Sequence, residues 1–130
     1  MKTIKTLTFI TMVAALSACG GSNFEWFPSY SDKTGPTITV SISSTTSFGN
    51  NTTHVSALPA TVTFVSDEAA TIYYTTNGAD PTTASPSVAA SANTSAAGPS
   101  ITITNTLLKF FGVDTLSNTS SIQSNTIISP

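Results

Sequence analysis

From Gly35 onward, apolar residues recur at every second position in short runs separated by turn formers. The run PTITVSI puts Ile38, Val40 and Ile42 on one face; ATVTFVS does the same with Val62 and Phe64, ATIYYTT with Ile72 and Tyr74, and SITIT with Ile101 and Ile103. A spacing of two is the side-chain period of a strand buried on one face. In TLLKFFGVD the rule sends Leu108, Phe110 and Gly112 inward and Lys109, Phe111 and Val113 outward, and a last strand is expected between Ile122 and Ile128. The segments FGNNTTH, NGADPTTASPS and NTSAAGP between these runs are rich in Gly, Asn, Pro and Ser, which preset turn dihedrals or bond their own backbone. About seven short strands in a domain of this size, with no crossover helices to link parallel neighbours, predict an all-β fold. The expected architecture is an antiparallel β-sandwich spanning residues 35–130.

The opening residues follow a different rule. Lys2 and Lys5 precede a mainly apolar run from Leu7 to Leu16 that ends in small residues, which is the layout of an export signal. The uncharged stretch is shorter than the roughly 20 apolar residues of a spanning helix. Leu16-Ser17-Ala18-Cys19 resembles the lipobox of bacterial lipoproteins, which implies cleavage before Cys19 and acylation of that residue. Residues 1–18 are therefore expected to be a lipoprotein signal peptide, and residues 19–34 a lipidated tether. Acyl chains, at about 0.8 kcal/mol per buried methylene, would then attach the chain to a membrane without a spanning segment. Gly20 stands where lipoproteins retained at the inner membrane often carry Asp, so the resemblance implies the outer membrane of the cell envelope. The tether holds Phe24, Trp26, Phe27 and Tyr30, either as rings lying on the domain or at lipid headgroups, or as a docking element for a partner.

Composition narrows the function classes. Removal of residues 1–18 from the 130 leaves 112, the size of one domain with a short tail. In that mature chain Lys33 and Lys109 stand against six carboxylates, a net charge of −4, and arginine is absent. Two scattered cations are too few to neutralise a run of phosphates, which excludes a nucleic-acid partner. Cys19 is the single cysteine, so a disulfide within the chain is impossible. The Ser/Thr richness suits the water-facing side of a pleated sheet, since threonine is β-branched.

The residues PATVTFVSDEAATIYYTTNGADPT, followed by ITITNTLLKFFGVDTLSNTSSIQSNTI, resemble the chitobiase/β-hexosaminidase C-terminal type of immunoglobulin-like module. The most specific parts are Ile72-Tyr73-Tyr74-Thr75 leading into Asn77-Gly78-Ala79-Asp80-Pro81-Thr82, and Leu108-Lys109-Phe110-Phe111 leading into Val113-Asp114 and Asn118. The resemblance implies a fibronectin III-like sandwich that accompanies carbohydrate-active enzymes and surface proteins without being their catalytic part. One position departs from it: Ser117 stands where the family pattern Asp-x-x-Gly-Asn has glycine, so a different turn conformation is expected there, glycine alone entering positive φ without cost.

Candidate chemistry is sparse. A Ser-His-Asp hydrolase would have to use the single histidine, His54, which falls in an expected loop with no nucleophile-elbow motif around any serine. A zinc site would need three or four convergent ligands, and the mature chain offers one histidine. Asp114 and Asn118 offer oxygens to a hard cation, but calcium takes 6 to 8, and no metal or other cofactor is expected. Asp67-Glu68 reads as a polar turn, because neighbours on an extended chain point to opposite sides. Asp80 is expected to cap backbone donors in the Asn77–Pro81 turn. The remaining candidate is a contact surface formed by Tyr73, Phe111 and Val113 on the outer face, joined by Trp26 from the tether. The expected function is a non-enzymatic envelope lipoprotein, membrane-bound through Cys19, that displays one module in a structural role, as a spacer, or in contact with an envelope protein partner; the alternative is a carbohydrate-binding accessory module that stacks these aromatics on a polysaccharide.

Overall fold

The alternating runs become strands, joined by others to make nine among the described residues. A computed structural model describes residues 31–42 and 45–130, with the backbone alone for 45–48. The expected signal peptide, Cys19, Trp26 and most of the expected tether lie outside the described residues. In chain order the strands are β1 (Ile38–Ile42), β2 (Thr45–Phe48), β3 (Thr52–Val55), β4 (Ala60–Ser66), β5 (Ala70–Thr75), β6 (Ser87–Ala90), β7 (Ser95–Ile101), β8 (Thr106–Asp114) and β9 (Gln123–Ile128). They form two sheets, ordered β2-β1-β4-β7 and β3-β9-β8-β5-β6. The consecutive strands β2 and β3 are edges of different sheets, as are β6 and β7, so the chain passes between the layers at both sides. The fold is the all-β sandwich expected from the alternation.

The inward positions meet between the sheets. Ile38, Val40 and Ile42 of β1, Val62 and Phe64 of β4, Ile72 of β5, Leu108 and Phe110 of β8 and Ile127 of β9 form one buried cluster, with Tyr74 half-buried against it. The Phe64 and Phe110 ring centroids lie 5.1 Å apart at a 56° tilt, and Phe64 also lies 6.2 Å from Tyr74, so one ring from the first sheet interlocks with two from the second. Both sheets leave room for these side chains by omitting a Cβ. At Gly98 a Cβ would sit 2.5 Å from Phe64 Cε2, and at Gly112 it would sit 2.7 Å from Ile38 Cδ1.

Several expectations need correction. The strand count rises because β2, β3 and β6 carry no apolar alternation, and β3 pairs with β9 in parallel, which departs from a purely antiparallel sandwich. His54, expected in a loop, lies in β3 opposite Ile127. The polar β3 is held by Asn125, itself 1% exposed, whose Oδ1 accepts Thr52 N–H at 3.2 Å and Thr52 Oγ1–H at 3.0 Å. The expected loop NTSAAGP is mostly strand β7, and only its first residues turn, with Asn93 at φ 55°. Pro99 is tolerated there because β7 is a sheet edge, where a missing N–H costs no interior ladder bond. Ile103, paired with Ile101 in the alternation, is 68% exposed, because β7 ends at Ile101 and the chain turns through Asn105 at φ 60°.

Candidate functional site

The outer face of the second sheet is built by cross-strand register. β5 and β8 are antiparallel neighbours in which Tyr73 faces Phe111 and Thr71 faces Val113. Both aromatics carry the parity opposite to Ile72 and Phe110, so they lie on the side away from the core, and their rings stack with centroids 5.4 Å apart and planes 22° apart. Tyr73 and Val113 are half-buried, but Phe111 is only 9% exposed. The expected exposed stripe is thus a pair in which the Tyr73 ring shields Phe111, with Val113 beside it. Lys109 lies on the same side of β8, and its Nζ donates to Asp80 Oδ1 at 2.7 Å. This replaces the capping role expected of Asp80; the donor Ala79 N–H goes to Asn77 Oδ1 instead, at 3.1 Å.

A second assembly forms where β8 ends. Asp114 has the inward parity of Leu108, Phe110 and Gly112, and it is 6% exposed. Its Oδ1 accepts the N–H groups of Leu116 at 2.8 Å and Asn118 at 2.7 Å, and its Oδ2 accepts Asn118 Nδ2–H at 2.7 Å. Backbone bonds from Asp114 N–H to Asn118 O and from Ser117 N–H to Asp114 O close the turn. Ser117 adopts φ 69°, the left-handed region that glycine enters without cost, and does so as a serine. Asn118 Nδ2 also donates to Asp32 O at 3.1 Å, and Gly35 passes so close to Thr119 that a Cβ would lie 2.2 Å from its carbonyl oxygen. The segment leading into β1 is thereby fastened to the β8–β9 connection. Asp67, in the β4–β5 turn, fastens the same segment by accepting Thr37 N–H at 2.8 Å.

These contacts bring three carboxylates together. One oxygen each from Asp32, Glu68 and Asp114 falls within 4.8 Å of the others. Burial raises the Glu68 pKa, and the negative charges of Asp114, Asp32 and Asp67 raise it further. For Asp114, burial acts upward, but the bonds from the Asn118 side chain and from the N–H groups of Asn118, Leu116 and Ser117 outweigh it and hold the carboxyl below its ordinary value. One acid pushed up beside one pushed down is a combination glycosidases use for acid and nucleophile. Here, however, both oxygens of Asp114 accept N–H donors of its own turn, two on Oδ1 and one on Oδ2, which ties the carboxylate to that turn. The arrangement is a structural knot. Sequence spacing identified Asp114 and Asn118 as oxygen-bearing partners but not Asp32 or Glu68, which arrive from separate segments with no common spacing.

A third region has no counterpart in the sequence reading. An open groove of 530 Å³ is lined by Thr37, Ile38, Thr39, Gly49, Asn50, Ser121 and Gln123. It lies where β1 and the start of β9 are bridged by a bond from Gln123 Nε2–H to Ile38 O at 3.3 Å. Its residues come from three stretches distant in sequence, the start of β1, the β2–β3 turn and the start of β9, so no local motif announces it.

The family model described as the chitobiase/β-hexosaminidase C-terminal domain matches residues 50–124, which is more than half of the 130-residue chain. No curated protein and no solved structure matches the chain.

Proposed function

Because the chain belongs to the chitobiase/β-hexosaminidase C-terminal domain family, we propose that it is a non-enzymatic lipoprotein of the cell envelope, held at the outer membrane by lipid on Cys19, that displays one immunoglobulin-like module for contact with an envelope protein. The family's domain is a non-catalytic C-terminal module, and the strongest support in this chain comes from Asp114. The most perturbed carboxylates gather around a residue whose oxygens already serve its own backbone, so the chemistry concentrated there maintains shape. The apolar contact element is the outer face carrying Tyr73 and Val113, backed by Phe111.

Two measurements test this reading. Palmitate incorporation and membrane fractionation are expected to show a lipidated, membrane-bound protein that becomes unlabelled and soluble in Cys19→Ser; an unchanged distribution removes the anchoring claim. Co-purification from envelope extracts in mild detergent is expected to recover a defined partner that Tyr73→Ala releases, and recovery of the chain alone removes the contact claim.

The stacked Tyr73–Phe111 pair favours a second reading, a carbohydrate-binding module. A half-exposed tyrosine fixed flat on a second ring offers a sugar an aromatic face whose rotamer is already settled. Glycan binding that disappears in Tyr73→Ala supports this alternative, and absence of glycan binding at that face removes it.

A further inference from the structure

We propose that the groove between β1, the β2–β3 turn and the segment before β9 binds a neutral saccharide, at a site separate from the Tyr73–Phe111 face. Its volume of 530 Å³ falls in the range of about 300–1,000 Å³ typical of small-ligand sites. Among the described residues the lining contains no ionisable side chain, which disfavours phosphate, sulfate and carboxylate ligands and matches an uncharged one. Among the described residues its hydrocarbon comes from Ile38, which is 4% exposed, and from threonine methyl groups, so a peptide side chain or a lipid would gain little there.

What the groove does offer is a mixture of unspent hydrogen-bonding groups on a fixed frame. Asn50 Oδ1 accepts Ser124 N–H at 2.7 Å and Asn51 N–H at 2.9 Å, which sets the amide orientation and leaves Nδ2 as a donor. Gln123 uses Nε2 on Ile38 O at 3.3 Å, which leaves Oε1 as an acceptor. The hydroxyls of Thr37, Thr39 and Ser121 make no hydrogen bond among the described residues, and each both donates and accepts. Donors, acceptors and amphoteric hydroxyls without charge complement the hydroxyls of a sugar, each of which also donates and accepts. Because Asn50 and Gln123 are held by backbone bonds on β9 and β1, little side-chain entropy remains to be lost on binding. Without an aromatic platform the affinity falls in the weak range, with Kd on the order of millimolar.

The test uses the full mature chain labelled with ¹⁵N, titrated with a panel of neutral tetrasaccharides built from hexose, N-acetylhexosamine and deoxyhexose units, with glucose 6-phosphate as a charged control. Amide shifts are expected at Thr37, Thr39, Asn50, Ser121 and Gln123, saturating with at least one panel member and absent with the charged control. The double variant Thr39→Val with Ser121→Ala, which disturbs no hydrogen bond described above, is expected to keep its melting temperature and bind about tenfold more weakly, from two lost hydrogen bonds. No shift with any panel member overturns the proposal, as does stronger binding of the phosphate. Shifts confined to Tyr73 and Phe111 overturn it as well, and support the carbohydrate reading of the outer face instead. Loss of the envelope partner in Tyr73→Ala leaves the groove result unaffected, so the two claims fail separately.

Discussion

Two turns of this molecule each carry an aspartate, and the two carboxylates have opposite fates. Asp80, in the turn after β5, has a side chain 69% exposed and one partner, Lys109, on the neighbouring strand. Asp114, at the end of β8, is 6% exposed and holds three N–H donors of the residues that follow it. Strand parity separates them. Asp114 continues the inward series of Leu108, Phe110 and Gly112, so its charge is drawn toward the core and survives there only because backbone donors replace water. Asp80 lies past the end of a strand, where water solvates it whatever Lys109 does. The same residue type therefore defines shape in one turn and decorates the surface in the other.

The sharpest way to break this comparison is Asp114→Ala. It orphans the N–H groups of Leu116 and Asn118 in a partly buried turn and releases Asn118 from its grip on Asp32. The melting temperature is expected to fall by roughly 10 °C or more, read by circular dichroism on the full chain. A drop no larger than that of Asp80→Ala would make the two turns equivalent. Next in size is Gly35→Ala, which leaves Asp114 intact but places a Cβ 2.2 Å from the Thr119 carbonyl oxygen. Backbone has to move to relieve that contact, and the expected cost is about 2 kcal/mol in urea unfolding. An unchanged midpoint would mean that the segment before β1 does not fasten the turn.

Much of this contrast was legible in the chain, and the residues show why. The faces of β1, β4, β5 and β8 follow from alternation alone, because Ile38, Val40, Ile42, Phe64, Ile72, Leu108 and Phe110 each lie two residues from another apolar side chain that the core also needs. Alternation fails where burial is not what makes a strand. β7 runs through Ser-Ala-Ala-Gly-Pro-Ser, and Gly98 is there because the Phe64 ring takes the space a side chain would occupy, a demand set by a distant strand. β3 is polar except for the exposed Val55 at its end and is positioned by Asn125, 73 residues away. At the candidate sites, the outward face of Tyr73 and of Phe111 followed from parity, but their register and the shielding of Phe111 depend on strand pairing and ring geometry. Ser117 shows the reverse case: local preference argued for a different turn, yet the Asp114 bonds hold a serine at φ 69° against a penalty on the order of 1 kcal/mol. The groove and the meeting of Asp32, Glu68 and Asp114 join segments with no shared spacing, so tertiary structure alone reveals them.

The acid cluster supplies a subtler probe. With its pKa raised, Glu68 binds a proton more readily in the folded than in the unfolded chain. Its favourable contribution is therefore complete below about pH 4 and lost as pH rises through the raised value. At neutral pH the ionised Glu68 opposes folding, and Glu68→Gln is expected to raise the melting temperature by a few degrees at pH 7 with no gain at pH 4. Asp114 works in the other direction. Its lowered value makes its contribution present at neutral pH and lost on acidification, so the two groups pull the pH profile oppositely. Equal effects of Glu68→Gln at both pH values would show that Glu68 does not feel the charges of Asp114 and Asp32.

The smallest effect belongs to Asp80→Ala. The pair with Lys109 is short at 2.7 Å, but Lys109 is 24% exposed and Asp80 69%, so water and salt screen most of the attraction and two mobile side chains are ordered to form it. The turn itself rests on other bonds: Asn77 Oδ1 accepts Ala79 N–H at 3.1 Å, and Gly78 N–H reaches Leu107 O at 3.2 Å. Removing the Asp80 carboxylate leaves those in place, and the expected loss is about 0.5 kcal/mol at low salt, vanishing near 1 M NaCl. Urea unfolding at both salt concentrations measures it. A loss above about 1.5 kcal/mol that persists in salt would mean that Asp80 holds its turn as Asp114 does, and strand parity would no longer explain why one carboxylate shapes the molecule and the other does not.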